Sequence, residues 1–491
     1  SRLVLNDEDL RSVDLPEELT GLTDLSLVGG QLESLAFLGE LGDLTELDLS
    51  ALGLTEISLP EGLNGLTHLN LSGNQLSSFE VSEELTALTS LDLSNNQLTT
   101  FSIPESISGL IFLNLRDNML SELSLPSGLS ELESVHLQNN QFTALELPQG
   151  LESLETLALH GNALASLHIP EDAGISWLDL YSATGSEFEL TGAPTGLVGL
   201  YAYYNSELES ISISTELPSL QALDLSRNKL TEVDLPASLP ELVTFSLNSN
   251  KLSSIDLPET SGSLTYLDLG NNALTSLELP AGYGNLETLY LGENNLAQLE
   301  LAGQFPHLMM LDLSGNEMAE LSLTGDFPQL TELWLWGNQL SSLYLGEGVS
   351  AIRNLYLSGA VSPTFELLSA PSGLEWIDLS RSGLKEFVLS ADLPNLRTLN
   401  LRYNEITDVV LSSTLASLEV IDLAQNPISM LSLPDGLSSL REVSLLQNRL
   451  TDLYLPNSLR SPIMQGALNF VGNTATYETT FYAPPRLEIL S

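Results

Sequence analysis

Apolar residues recur along the chain in one frame, repeated every 22 residues. The stretch LTSLDLSNNQLTTFSIPESISG, residues 88–109, shows it: positions 1, 4, 6, 11, 14, 16 and 20 are apolar, and polar residues separate them. Position 1 falls on Leu22, Leu44, Leu66, Leu88, Leu110, Leu132, Leu154, Ile175 and Leu197, then on Leu220 and onward to Leu440. Every step is 22 except one of 21 and one of 23. The first half of each copy, LxxLxL, alternates with the period of a strand. The second half, LxxLxLP, as in LTSLELP at 274–280, alternates again. The pattern predicts two short extended segments per copy, with the apolar positions turned inward. One copy cannot bury its leucines alone; stacking closes the core. At ~4.8 Å per rung, about twenty rungs make a body on the order of 95 Å long.

Position 9 is asparagine in most copies, from Asn74 to Asn448. Side-chain amides one rung apart can bond backbone groups where the chain turns, so this ladder reads as structural. It breaks at Ala183, Ala360 and Ser382, where YSATGSEFEL and LSGAVSPTFEL replace the usual turn. These are expected to be altered loops at a rim, forming side walls of a site.

The frame resembles that of bacterial leucine-rich repeat proteins, with an internalin-like period, over roughly residues 3–461. That resemblance implies a right-handed β-rich superhelix with a parallel sheet on its concave face and few helices. The strand-like LxxLxLP half departs from it. It predicts a second parallel sheet, or near-extended strands, on the convex side, and a solenoid flatter than a horseshoe. Residues 1–461 are taken as the solenoid and 462–491, with a Pro pair, as a C-terminal cap over the open end. Ser1 lies close to the start of a copy, so the chain is expected to begin inside a longer one.

Composition narrows the partners. Of 491 residues, 43% are hydrophobic, ample for a folded body. Asp and Glu number 65 against 15 Lys and Arg, a formal net charge of −50. Such a chain repels phosphate backbones and anionic lipid, leaving neutral sugars, cations and basic proteins. The chain has no cysteine, which excludes disulfides, thiolate metal sites and cysteine nucleophiles. No apolar run approaches 18 residues, so no membrane insertion is expected.

Candidate chemistry lies at positions 3, 5 and 7, which alternate away from the core. Trp177 and Trp376 take position 3, Trp334 position 5 and Trp336 position 7, so all four tryptophans should meet solvent on the concave face. One group joins Trp177, Tyr181, Tyr201 and Tyr203, with Tyr204 beside them. A second joins Tyr290, Trp334, Trp336, Tyr356 and Trp376, with Tyr266 nearby. Position 5 also carries aspartates on alternate rungs, which reads as an exposed acid row with repulsion managed. Two of them, Asp312 and Asp378, bracket the Trp334–Tyr356 pair and could accept hydrogen bonds from sugar hydroxyls.

None of the five histidines falls in a catalytic or metal motif, and the paired carboxylates of so acidic a chain carry no glycosidase signal. No enzyme and no cofactor are expected. Ca²⁺ stays open, although no EF-hand-like loop is present. Two readings follow. The first is noncatalytic binding of a polysaccharide or cell-surface glycan, as a module of a larger secreted or cell-surface bacterial protein. The alternative is a protein-binding adhesin or scaffold of internalin type, meeting a basic protein surface.

Overall fold

The computed structural model describes residues 1–6, 11–12, 21–30, 32, 35–260, 262–301, 303–359, 362–389, 392–460, 462 and 469–471. Packing divides the chain into two units, residues 1–245 with 256–261 and residues 246–255 with 262–491. Each is a β-solenoid of stacked parallel coils. Among the described residues the helical segments Ala36–Glu40, Ala281–Asn285 and Asn457–Leu459 are single short 3₁₀ turns. No described helix is long and apolar enough to cross a membrane.

In the first unit, the first half-rungs form a parallel main sheet in chain order. It runs from Arg2–Asn6 and Asp24–Val28 to Ser134–His136 and Thr156–Ala158. Trp177–Asp179, Gly199–Tyr201 and Ala222–Asp224 pair in the same manner. The second unit repeats this from Tyr266–Asp268 to Glu442–Ser444, with Asn469–Val471 added in parallel on that last strand. Apart from those three residues and residue 462, the 462–491 segment read as a cap lies outside the described residues.

Strand pairing places equal positions of successive copies side by side. Asp312, Trp334, Tyr356 and Asp378 are paired in that order, one per rung. Leu335, between Trp334 and Trp336, is fully buried, so both indoles point away from the core.

The second half-rungs pair less continuously. In the first unit Thr100–Ser102 joins Glu122–Ser124, and five strands run from Ala144–Glu146 to Glu232–Asp234. In the second unit there is one group of three strands and two of two. Elsewhere among the described residues this half holds the 3₁₀ turns Ala36–Glu40 and Ala281–Asn285 and the isolated parallel bridges Ser238–Glu259 and Gln304–Asp326. The expected second sheet therefore exists as separate pieces.

The asparagine ladder is the polar framework of the core. Asn338 is typical: its Nδ2 donates to the carbonyls of Leu313 and Leu335 at 2.8 and 2.9 Å, and its Oδ1 accepts from Met318 N–H at 3.1 Å. Each such amide ties its own rung to the one before. At Ser382 the ladder does not break: the Ser382 hydroxyl donates to the Leu357 carbonyl at 3.0 Å, and its N–H reaches Asn404 Oδ1 at 2.9 Å. The expected altered loop is thus a substitution within the standard turn. At Ala183 the methyl is buried, and the Ala183 and Thr184 amides both donate to Asn205 Oδ1. Ala360 lies outside the described residues.

Position 8, just before each asparagine, is left-handed. Gly337 has φ 76°, and Asn95, Asn139 and Asn271 have φ of 55°, 54° and 53°. The backbone turns there so that position 9 can point inward. A residue other than glycine or asparagine pays roughly 1 kcal/mol in this region. Tyr204, Arg227, Arg381 and Tyr403 nevertheless occupy it.

Candidate functional site

Position 5 has a local duty that the alternation alone did not reveal. Wherever it is Asp or Asn, its Oδ1 can accept the N–H two residues on, an Asx turn that closes the strand. Asp48, Asn70, Asp92, Asn114, Asp179, Asp224, Asp268, Asp312, Asp378, Asn400 and Asp422 all do so, at 2.8–3.2 Å. Asparagine alternating with aspartate adds a cross-rung bond, as Asn114 Nδ2 donates to Asp92 Oδ2 at 3.0 Å. The acid row is therefore first a row of backbone caps. A phenol or indole ring offers no acceptor there, so Tyr201, Tyr290, Trp334 and Tyr356 forgo the cap.

The first unit holds a cluster of rings in contact. Trp177 stacks on Tyr201, centroids 5.9 Å apart and planes 13° apart. Tyr181, Tyr203 and Tyr204 form a triad with centroids 5.5–6.3 Å apart. Gly199 makes the stack fit: a Cβ there would collide with the Trp177 ring and come within 2.9 Å of Tyr201. Arg227 lies over the Tyr204 ring at 4.9 Å and donates to its hydroxyl. Gly199 and Arg227 escaped the sequence reading; glycine at position 3 beside a tryptophan was the available signal. Burial first, then the carboxylates of Asp224 and Asp179, push the Tyr201 phenol up. Tyr203 is pushed up by the same kinds of cause, and both remain protonated donors at neutral pH.

The second unit differs. Tyr266 and Tyr290 meet edge to face at 5.8 Å. Trp334, Trp336, Tyr356 and Trp376 make no ring–ring contact among the described residues. Trp336, Tyr356 and Trp376 are exposed, and Trp334 is half-buried. These rings stand apart on three successive rungs, each with a free surface. Asp312 and Asp378 flank them, each with Oδ1 committed to the amide of Ser314 or Ser380. Burial, then Asp268, Asp312 and Glu332, push the Tyr290 phenol up. Among the described residues no group of three or more His, Asp or Glu side chains could hold a metal ion. His136 leans on Phe112 at 5.4 Å, and burial lowers its pKa.

Asp268 gives a pH test of this row. Burial raises its pKa above the ordinary 3.8, outweighing the bonds from Gly270, Asn248 and Tyr266. The folded state therefore holds that proton more tightly than the unfolded one. The stabilisation is full below pH 3.8 and is lost as pH rises through the raised value. Asp268→Asn keeps an acceptor for Gly270, as Asn70 and Asn400 do on their rungs. Melting curves of both proteins should show the variant more stable at pH 7, with the difference shrinking below pH 4. An unchanged difference across pH would exclude this titration.

Leucine-rich repeat family models match residues 65–86, 87–110, 218–259, 262–318 and 392–409, one of them described as leucine-rich repeats in two copies. The chain is similar to YopM from Yersinia enterocolitica WA-314 (24% identity, 96% of this chain and 91% of that one, TM-score 0.42). It is also similar to YopM of Yersinia pestis, a leucine-rich effector protein (29% identity, 68% and 88%, TM-score 0.39). A third likeness is to the functional domain of InlJ from Listeria monocytogenes (20% identity, 85% and 75%, TM-score 0.32). No curated protein matches the chain. Over those matched segments, which carry the stacked coils and the ladder already described, the repeats of this chain are leucine-rich repeats.

Proposed function

We propose that the chain is a noncatalytic protein-binding scaffold that docks a basic protein on the main-sheet face of its second unit. One observation carries the reading: Trp334, Trp336, Tyr356 and Trp376 stand on successive rungs with free ring surface and no ring partner among the described residues. Isolated aromatic anchors dominate the energetics of interfaces. Trp334 and Tyr356 also replace a backbone cap worth about 1 kcal/mol, a choice that fold stability does not favour by itself. The net charge of −50 would steer a cationic partner. Such a scaffold fits a secreted or cell-surface protein and needs no cofactor.

The polysaccharide reading uses the same rings but assigns sugar hydroxyls to Asp312 and Asp378. Each of these gives Oδ1 to a backbone amide and keeps Oδ2 open, but a neutral glycan makes no use of the −50 charge, so the protein reading has more support.

A binding panel of basic proteins, acidic proteins and neutral polysaccharides tests this. Basic proteins should bind, with affinity dropping at least tenfold when salt rises from about 50 to about 300 mM. The pair Trp336→Ala and Trp376→Ala should weaken that binding at least tenfold, about 1.4 kcal/mol. Retention by a neutral polysaccharide that the double variant abolishes would favour the glycan reading. A double variant that binds every member as the wild type does would end both.

A further inference from the structure

The ring cluster of the first unit has an open side that the packing of its rings does not use. On the main sheet Asp179, Tyr201 and Asp224 pair in that order, one per rung. Leu178, Leu200 and Leu223, each just before one of them, are buried, so these three side chains share the outer side. Trp177 leans over Gly199 onto Tyr201, which takes one face of the indole, yet Trp177 stays 55% exposed. The next residue in the column of Trp177 and Gly199 is Ala222, paired with Gly199. Asp224 stands two residues along the same strand. Glycine and alanine side by side leave a low stretch of sheet next to the stacked rings and within reach of a carboxylate.

Charge and hydrogen bonding together select the occupant. Asp179 and Asp224 form no ion pair among the described residues. Each spends Oδ1 on a backbone amide, that of Tyr181 or Ser226. The neighbouring cation, Arg227, is engaged on the Tyr204 ring and hydroxyl. The charges that push the Tyr201 phenol up are Asp224 and Asp179, and Arg227 is not among them. Ring faces in a negative field attract a cation. A primary ammonium or a guanidinium brings N–H donors that each need an acceptor once water leaves. The carboxylates keep one Oδ2 apiece, too few for such a group. A quaternary ammonium donates no hydrogen bond, and its methyl groups bury against ring faces. A phosphate attached close to it would meet the acid row and the net charge of −50.

We infer that the Trp177–Tyr201 stack, with Asp179 and Asp224, binds a small quaternary ammonium compound of the choline class, free in solution. Its methyl groups lie on the open ring surface and over Ala222, and the two carboxylates balance its charge. This site is independent of the aromatic face of the second unit and gives the first unit a ligand of its own.

Isothermal titration calorimetry of the full chain with choline chloride, at about 150 mM salt, tests this. Choline should bind with a Kd below about 1 mM. Its neutral isostere, with carbon in place of the nitrogen, should bind at least tenfold more weakly, and so should phosphocholine. Trp177→Ala should weaken choline binding at least tenfold. Asp179→Asn with Asp224→Asn should do the same while keeping both backbone caps, as Asn70 and Asn400 do on their rungs. Asp48→Asn with Asp92→Asn removes equal charge from the same kind of position and should leave binding unchanged. Circular dichroism and melting curves are read on each variant first; should Trp177→Ala not fold, the Asp179 and Asp224 pair decides. No binding of choline, equal binding of the neutral isostere, or phosphocholine as tight as choline would overturn the inference. So would wild-type affinity in the folded Trp177 variant or in the Asp179 and Asp224 pair, or an equal loss in the Asp48 and Asp92 pair.

Discussion

Asn338→Ala should destabilise its rung by about 2–6 kcal/mol. The side chain is fully buried, and its loss strands two backbone groups, the carbonyl of Leu335 and the N–H of Met318, while the Leu313 carbonyl keeps its bond from Asn316 Nδ2 at 3.0 Å. Each buried group left without a partner costs about 1–3 kcal/mol. The damage would be local at first, because each rung of a solenoid touches only its neighbours. Trp334 and Trp336 lie on the same rung and report on it, so denaturant titration followed by tryptophan fluorescence reads the loss directly. Gln339→Ala, at an exposed neighbour, should change little. A loss under about 1 kcal/mol for Asn338→Ala would mean that water can replace the amide.

Trp334→Asn with Tyr356→Asn should abolish docking, by at least a hundredfold, while staying more stable than the matching alanine pair. The binding loss follows from removing two anchors of the aromatic face, about 2.7 kcal/mol or more. The stability difference follows from the cap. Asparagine at position 5 accepts the N–H two residues on, as Asn400 does for Arg402 at 3.1 Å, and alanine cannot. Each restored cap is worth about 1 kcal/mol, so the two pairs should differ by about 2 kcal/mol in unfolding free energy with equal loss of binding. Both pairs lose ring packing alike, so the comparison isolates the cap. Equal stability would show that the amides of Trp336 and Ser358 are satisfied without it.

Much of the coil could be read from leucine spacing. Because the strand period is two, fixing Leu335 as inward fixes Trp334 and Trp336 as outward, and the ladder of asparagines follows from the need to satisfy a buried turn. What the pattern did not carry is chemistry shared between neighbouring rungs. The cap at position 5 is a three-residue event, and eleven Asp or Asn residues in one column were its only trace. The two aromatic groups look alike as sequence. Yet one is packed ring on ring over Gly199, and the other is open, a difference set by side-chain direction. Likewise Arg353, Glu375, Arg397, Glu419 and Arg441 alternate at position 2. In the structure Arg397 bridges Glu375 and Glu419, and Arg441 also reaches Glu419. That ladder appears only when copies are laid one above another. Ser382 shows the converse: a residue off the consensus can keep the local geometry.

The chain has four tryptophans, three in the proposed docking face and one outside it, which makes hydroxyl-radical footprinting the most direct test. Oxidation of each is measured by mass spectrometry with and without a saturating basic protein from the binding panel. Docking on this face should protect Trp336 and Trp376 strongly and half-buried Trp334 in part. Trp177, 55% exposed in the first unit, should oxidise as before. Protection of Trp177 alone, or unchanged oxidation at all four while the protein is bound, would contradict it.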